Sequence, residues 1–136
     1  MSLKPLEQFI CDQCGLLIEK IDDGWLEWYD DLEKPAHGFR IVHSGRRCYY
    51  PERAEISDNH LIYFTGNDGL SMLLNLFKRK GVVDQDELAE IIRRLHVPYY
   101  EEARTYWDRA VSEGMVDNED YRQADLQAVI KEYSEG

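Results

Sequence analysis

The chain has 136 residues, 43% hydrophobic and 32% charged, a foldable composition that fits one domain or two small ones sharing an interface. No apolar run approaches the ~20 residues needed to cross a bilayer and the N-terminus lacks a signal-peptide pattern, so no membrane span and a cytoplasmic protein are expected. Sixteen basic against 27 acidic side chains leave a formal charge of −11, which disfavours nucleic acids and anionic membranes and suits a protein partner, especially a basic one.

Phe9-Ile10 and Leu16-Leu17-Ile18 read as two short strands meeting at the turn Cys11-Asp12-Gln13-Cys14-Gly15. Two thiolates separated by two residues can turn inward and grip one metal ion. The glycine after them permits the positive φ that points backbone N–H groups at sulfur. The next strand, Gly24–Tyr29, lies in an acidic stretch: residues 22–33 hold Asp22, Asp23, Glu27, Asp30, Asp31 and Glu33 with no base. Alternation puts Trp25, Glu27 and Tyr29 on one side and Leu26 and Trp28 on the other. One side is expected to be core, with Trp28 in it, and an aromatic pair left outside would make an interaction surface.

Phe39–Val42 is the third strand-like run, and it leads into His43-Ser44-Gly45-Arg46-Arg47-Cys48. The Ser-Gly turn brings an imidazole and the third cysteine within metal-ligand spacing. His43 is preferred over His37 and His60 as fourth ligand, because only His43 shares a tight turn with Cys48. Three thiolates and a neutral imidazole would close a Cys3His shell. An odd number of cysteines argues against a disulfide scaffold. Two other readings stay open: a redox dithiol, for which the βαβ context is missing, and plain buried cysteines.

From Gly38 to Arg53 the balance reverses. Arg40, Arg46, Arg47 and Arg53 face only Glu52, with Tyr49 and Tyr50 among them. These six residues are candidates for binding a partner through phosphate, carboxylate or base stacking. The competing expectation is that the arginines offset the neighbouring acidic strand through cross-strand pairs. His60–Phe64 reads as a further strand.

Past residue 67 the pattern turns helical. Asn67 or Asp68 caps a helix carrying Leu70, Leu73, Leu74 and Phe77, ending at Lys78-Arg79-Lys80-Gly81. Asp84-Gln85-Asp86-Glu87 is a capping-box-like start for a second helix with Leu88, Ile91, Ile92 and Leu95, closed by His96 as a dipole partner. Pro98 opens a third helix with Tyr99, Ala103, Tyr106, Trp107 and Ala110 inward, stopped by Gly114. A fourth runs from about Asn118 with Leu126, Val129, Ile130 and Tyr133 buried.

The Cys-x-x-Cys-Gly turn with His43 and Cys48 resembles zinc knuckles of the zinc-ribbon and treble-clef kind over residues 9–48. The likeness is looser in its second half, where His-x4-Cys replaces the commoner Cys-x-x-Cys. It implies one structural zinc ion per chain. Asp86-Glu87-Leu88-Ala89-Glu90 and Ser112-Glu113-Gly114-Met115-Val116 resemble, weakly, a winged helix-turn-helix core over residues 69–118. That resemblance implies a third helix reading DNA, yet this helix carries four carboxylates against two arginines.

The expected architecture is α+β: a small zinc-binding antiparallel β module at 4–66, then a three- to four-helix bundle at 67–134, two parts that can pack as one unit. No nucleophile elbow, His-Glu-x-x-His or phosphate loop is present, so a non-catalytic interaction or regulatory module is expected. The alternatives are a nucleic-acid-associated regulator and a zinc hydrolase in which His37 or Glu52 assists a metal-bound water.

Overall fold

The computed structural model describes residues 2–30, 36–45, 47–51, 55–80, 84–117 and 120–134. Among them are two small antiparallel sheets and five helices, an α+β architecture with its β module first. Strands β1 (Phe9–Ile10) and β2 (Leu17–Ile18) form the first hairpin, pairing Phe9 with Ile18 and Ile10 with Leu17. Strands β3 (Gly24–Tyr29), β4 (His37–His43) and β5 (Ile56–His60) form the second sheet in the order β4-β3-β5.

The strand expected at His60–Phe64 lies earlier. Residues 56–60 pair with β3, and Leu61–Phe64 winds into a 3-10 turn. The reason is burial: Leu61 and Phe64 both point into the core, a three-residue spacing that an alternating strand cannot satisfy.

Helix α1 (Gly66–Lys80) runs as expected, but its inward stripe is Leu73 and Leu76, while Leu74 is 48% exposed. The Phe77 side chain is outside the described set. Helix α2 (Gln85–His96) starts on Asp84, whose Oδ1 accepts the Glu87 N–H at 3.1 Å. Only half of the capping box forms. The Glu87 carboxylate instead accepts the N–H groups of Gly38 (2.7 Å) and Phe39 (3.0 Å), tying α2 to the start of β4.

The expected third helix is two pieces, α3 (Tyr100–Ala103) and α4 (Trp107–Ser112). Thr105 and Tyr106 donate to carbonyls three residues back, and the Thr105 hydroxyl takes the Glu102 carbonyl at 2.7 Å. A side chain competing for a helical acceptor, with 3-10-type bonds, breaks the cylinder there. All four residues of α3 are buried, so this segment does not form the continuous, exposed reader helix that the helix-turn-helix resemblance implies. Helix α5 (Gln123–Tyr133) closes the chain with Leu126, Val129 and Tyr133 inward; the Asn118 start expected for it lies outside the described residues.

One apolar cluster joins the sheets, α1 and α2, running from Phe9 to Leu95 and so across residue 67. Trp28 is inside it, stacked on Phe39 at 5.4 Å. A second cluster, from Tyr100 to Tyr133, belongs to α3, α4 and α5. Among the described residues no helix is long and apolar enough to cross a membrane.

Candidate metal centre

The β1–β2 hairpin tip and the end of β4 meet. Cys11 N–H donates to Leu16 O at 2.9 Å and Gly15 N–H to Cys11 O at 2.9 Å, curling the tip tightly enough to need the positive φ of Gly15. Asp12 N–H donates to Ile41 O, and Ile41 N–H returns the bond to Asp12 Oδ2, both at 2.8 Å, which clamps the tip to β4. The loop after β4 is held by Ser44 N–H on Asp23 O and Cys48 N–H on Gly45 O.

Cys11, Cys14, His43 and Cys48 thereby place one ligand atom each within 4.8 Å of the others. His43 Nδ1 lies 3.4 Å from Cys14 Sγ and 3.9 Å from Cys48 Sγ. With metal bonds of about 2.3 Å to sulfur and 2.0–2.1 Å to nitrogen, a tetrahedral shell separates its donors by roughly 3.5–3.8 Å. The donor set therefore fits a single ion. His43 Nε2 is 3.1 Å from Leu17 O, and a carbonyl only accepts, so the proton sits on Nε2 and the Nδ1 lone pair faces the sulfurs.

Electrostatics make the same point. Burial pushes the Cys11 thiol up, but the N–H groups of Cys14, His43 and Gln13 outweigh it and draw it down from 9.0 to about 6. For Cys48, burial and then the Cys11 and Cys14 sulfurs act together and push the thiol up to about 11. A cation between the sulfurs would offset the repulsion that holds the Cys48 proton on. Metal uptake at about pH 8 is thus expected to release the Cys48 proton while Cys11 is already thiolate. Affinity should rise about tenfold per pH unit for each proton displaced, and calorimetry in two buffers of different ionisation enthalpy would count those protons.

The other histidines lie elsewhere. His37 begins β4, at the opposite end of the strand from His43, and stacks on Tyr29 at 5.3 Å. His60 sits edge-on to Trp25 at 4.6 Å, and His96 bonds Phe64 O at 2.8 Å. Glu52, Arg46 and Arg53 lie outside the described residues.

The arginine island is divided. Arg40 is directly across from Glu27 in the β3–β4 register and bonds its Oε2 through Nε (3.1 Å) and Nη2 (2.6 Å). It also donates to Cys48 O and Gln13 Oε1, and its guanidinium lies 3.7 Å from the Tyr50 ring centroid. Tyr50 N–H donates to Glu27 Oε2 and Tyr50 Oη to Gly38 O. Both sides of β3 are consequently covered: Glu27 is 0% exposed under the 47–51 segment, where alternation had predicted one core face. Arg47 is exposed and Tyr49 half-buried against Trp25.

A second charged cluster was not anticipated. Arg94, 2% exposed, is held by Glu101 through Nε (2.7 Å) and Nη2 (2.9 Å), by Asp12 through Nη1 (2.7 Å) and by Ile10 O (3.0 Å). Ile10 N–H in turn donates to Glu101, and Leu3 N–H donates to the buried Glu102 at 2.7 Å. Asp12, one of the two residues between the hairpin cysteines, thus reaches helix α2. A sequence signal existed: Arg94 falls three residues after Ile91, on the apolar stripe. No protein-family model matches the chain, and no curated protein or solved structure matches it either.

Proposed function

We propose that the chain is a zinc-stapled, non-catalytic interaction or regulatory module that works in the reducing cytoplasm and engages a basic protein partner. The observation that carries this reading is the convergence of Cys11, Cys14, Cys48 and the Nδ1 lone pair of His43 within 4.8 Å. Thiolate and imidazole donors in a tetrahedron suit zinc over harder cations. Four protein donors fill that shell, which leaves no position for a reactive water. The three free cysteines fit a compartment in which thiols stay reduced.

Elemental analysis of the purified chain tests this, with about one zinc per chain expected. His43→Ala should lose it, whereas His37→Ala and His60→Ala should retain it. A metal-free wild type, or equal loss in all three variants, overturns the assignment.

A further inference from the structure

The outer face of the second sheet carries a row of rings that the metal centre does not use. Tyr49 packs on Trp25 at 5.4 Å, Trp25 on His60 at 4.6 Å and His60 on Tyr63 at 6.2 Å, so four rings are contiguous from the ligand loop to the 3-10 turn after β5. The row ends in the open: His60 is exposed, Tyr63 is 55% exposed and its neighbour Ile62 is 50% exposed. Contiguous exposed apolar side chains, unlike single ones scattered over a surface, mark contact sites.

The border of this row is acidic. Asp22 and Asp23 are exposed on the 3-10 turn Ile21–Asp23, which packs against Leu61–Phe64. Asp58 shares the outer face of β5 with His60, two residues along. Among the described residues Lys20, just before the turn, and Arg47, two residues before Tyr49, are the cations nearest this row, against the three carboxylates of Asp22, Asp23 and Asp58, and the Arg40–Glu27 pair contributes no net charge. Ring faces attract ammonium and guanidinium groups, and flanking carboxylates add Coulomb attraction in a chain already at −11.

We propose that Tyr49, Trp25, His60, Tyr63 and Ile62, bordered by Asp22 and Asp23, form the docking surface for a basic, partly apolar segment of a partner protein. Lysine or arginine stems lie along the rings, their charges beside the carboxylates, and an apolar partner side chain covers Ile62. This rests on the reading of the chain as an interaction module. It adds where the partner sits and why it is basic. Tyr49 adjoins ligand Cys48, and its hydroxyl lies 3.3 Å from that of Ser44, next to ligand His43, so the metal loop sets one end of the surface.

The test titrates the full-length chain with a short peptide of alternating lysine and leucine, followed by amide NMR, with metal content measured on the same sample. Shifts confined to residues 22–25, 47–49 and 60–63 are expected, weakening as salt rises. Ile62→Ser combined with Tyr63→Ser should bind roughly tenfold more weakly, the loss typical of an aromatic anchor. Leu74→Ser combined with Val111→Ser, exposed apolar positions elsewhere, should bind like wild type. All four side chains are about half exposed or more in the fold, and unchanged melting curves would check that the variants remain folded.

Diffuse shifts, equal weakening in both double variants, or no binding would overturn the surface. So would equally tight binding at these residues by a control peptide of alternating glutamate and leucine or by a short oligothymidylate. A metal-loaded chain that ignores the lysine peptide sinks the surface and leaves the zinc reading standing. A metal-free chain that binds it does the reverse.

Discussion

Cys14→Ser is expected to strip the metal and melt the N-terminal sheets, the largest effect of any single substitution outside the buried ion cluster. Cys14 is the exposed member of the four, so the change removes almost no packing and acts on coordination alone. Structural zinc contributes about 10 kcal/mol or more of apparent binding energy in small modules. Here the ion would join a hairpin of two-residue strands to the end of β4, and strands that short cannot hold themselves together in water. Elemental analysis with thermal melting checks it: full metal content and an unchanged midpoint would remove the assigned centre. Cys48→Ser would be less informative, because Cys48 is also buried in the core and its loss mixes packing with coordination.

The second large effect is expected from Glu101→Ala. Arg94 would keep Asp12 but lose both bonds to Glu101 while remaining buried, and breaking one side of such a pair costs about 3–5 kcal/mol. The variant also removes the acceptor of Ile10 N–H, so the penalty falls on the hairpin as well as on α3. Replacing both partners, Arg94→Met with Glu101→Met, is expected to recover part of the loss: the buried guanidinium is gone, while Asp12 loses its partner and Ile10 N–H still lacks its acceptor. Urea unfolding of the single and double variants measures this. If Glu101→Ala shifts the midpoint no more than a surface substitution does, the cluster carries no stability. Asp12→Asn is predicted to fall between, since the amide keeps an oxygen for Ile41 N–H but gives up the charge opposite Arg94.

The residues that were legible in the sequence share one property: their roles are set by local spacing. The Cys11–Cys14 loop, strand Gly24–Tyr29, the Asp84 cap and the inward Leu126 and Val129 follow from turns and periodicity within a few positions. What stayed hidden depends on partners far along the chain. Leu76 replaces Leu74 on the buried stripe because α1 packs on the Leu61–Phe64 turn and on α2. Glu87 abandons its own cap for β4, 48 and 49 residues away. Glu27 reads as one charge of an acidic strand offset by the arginines across from it, and its complete burial comes only from the 47–51 segment folding over it with Tyr50. Arg94 looks like a helix-end cation because its carboxylates come from a hairpin tip and from a four-residue helix. The break after Ala103 turns on a hydroxyl, Thr105, that propensity barely registers.

Asp12 occupies a double post, seated between two cysteines of the hairpin and gripping an arginine 82 positions downstream. A metal bound at the hairpin tip would therefore be coupled to the helical corner through this contact, and a change at that corner would alter its affinity in turn. Linkage makes the two influences equal in size. The lever is the Asp12 carboxylate on the Arg94 guanidinium, with the backbone of Ile10 bonded to the same arginine and to Glu101 beside it.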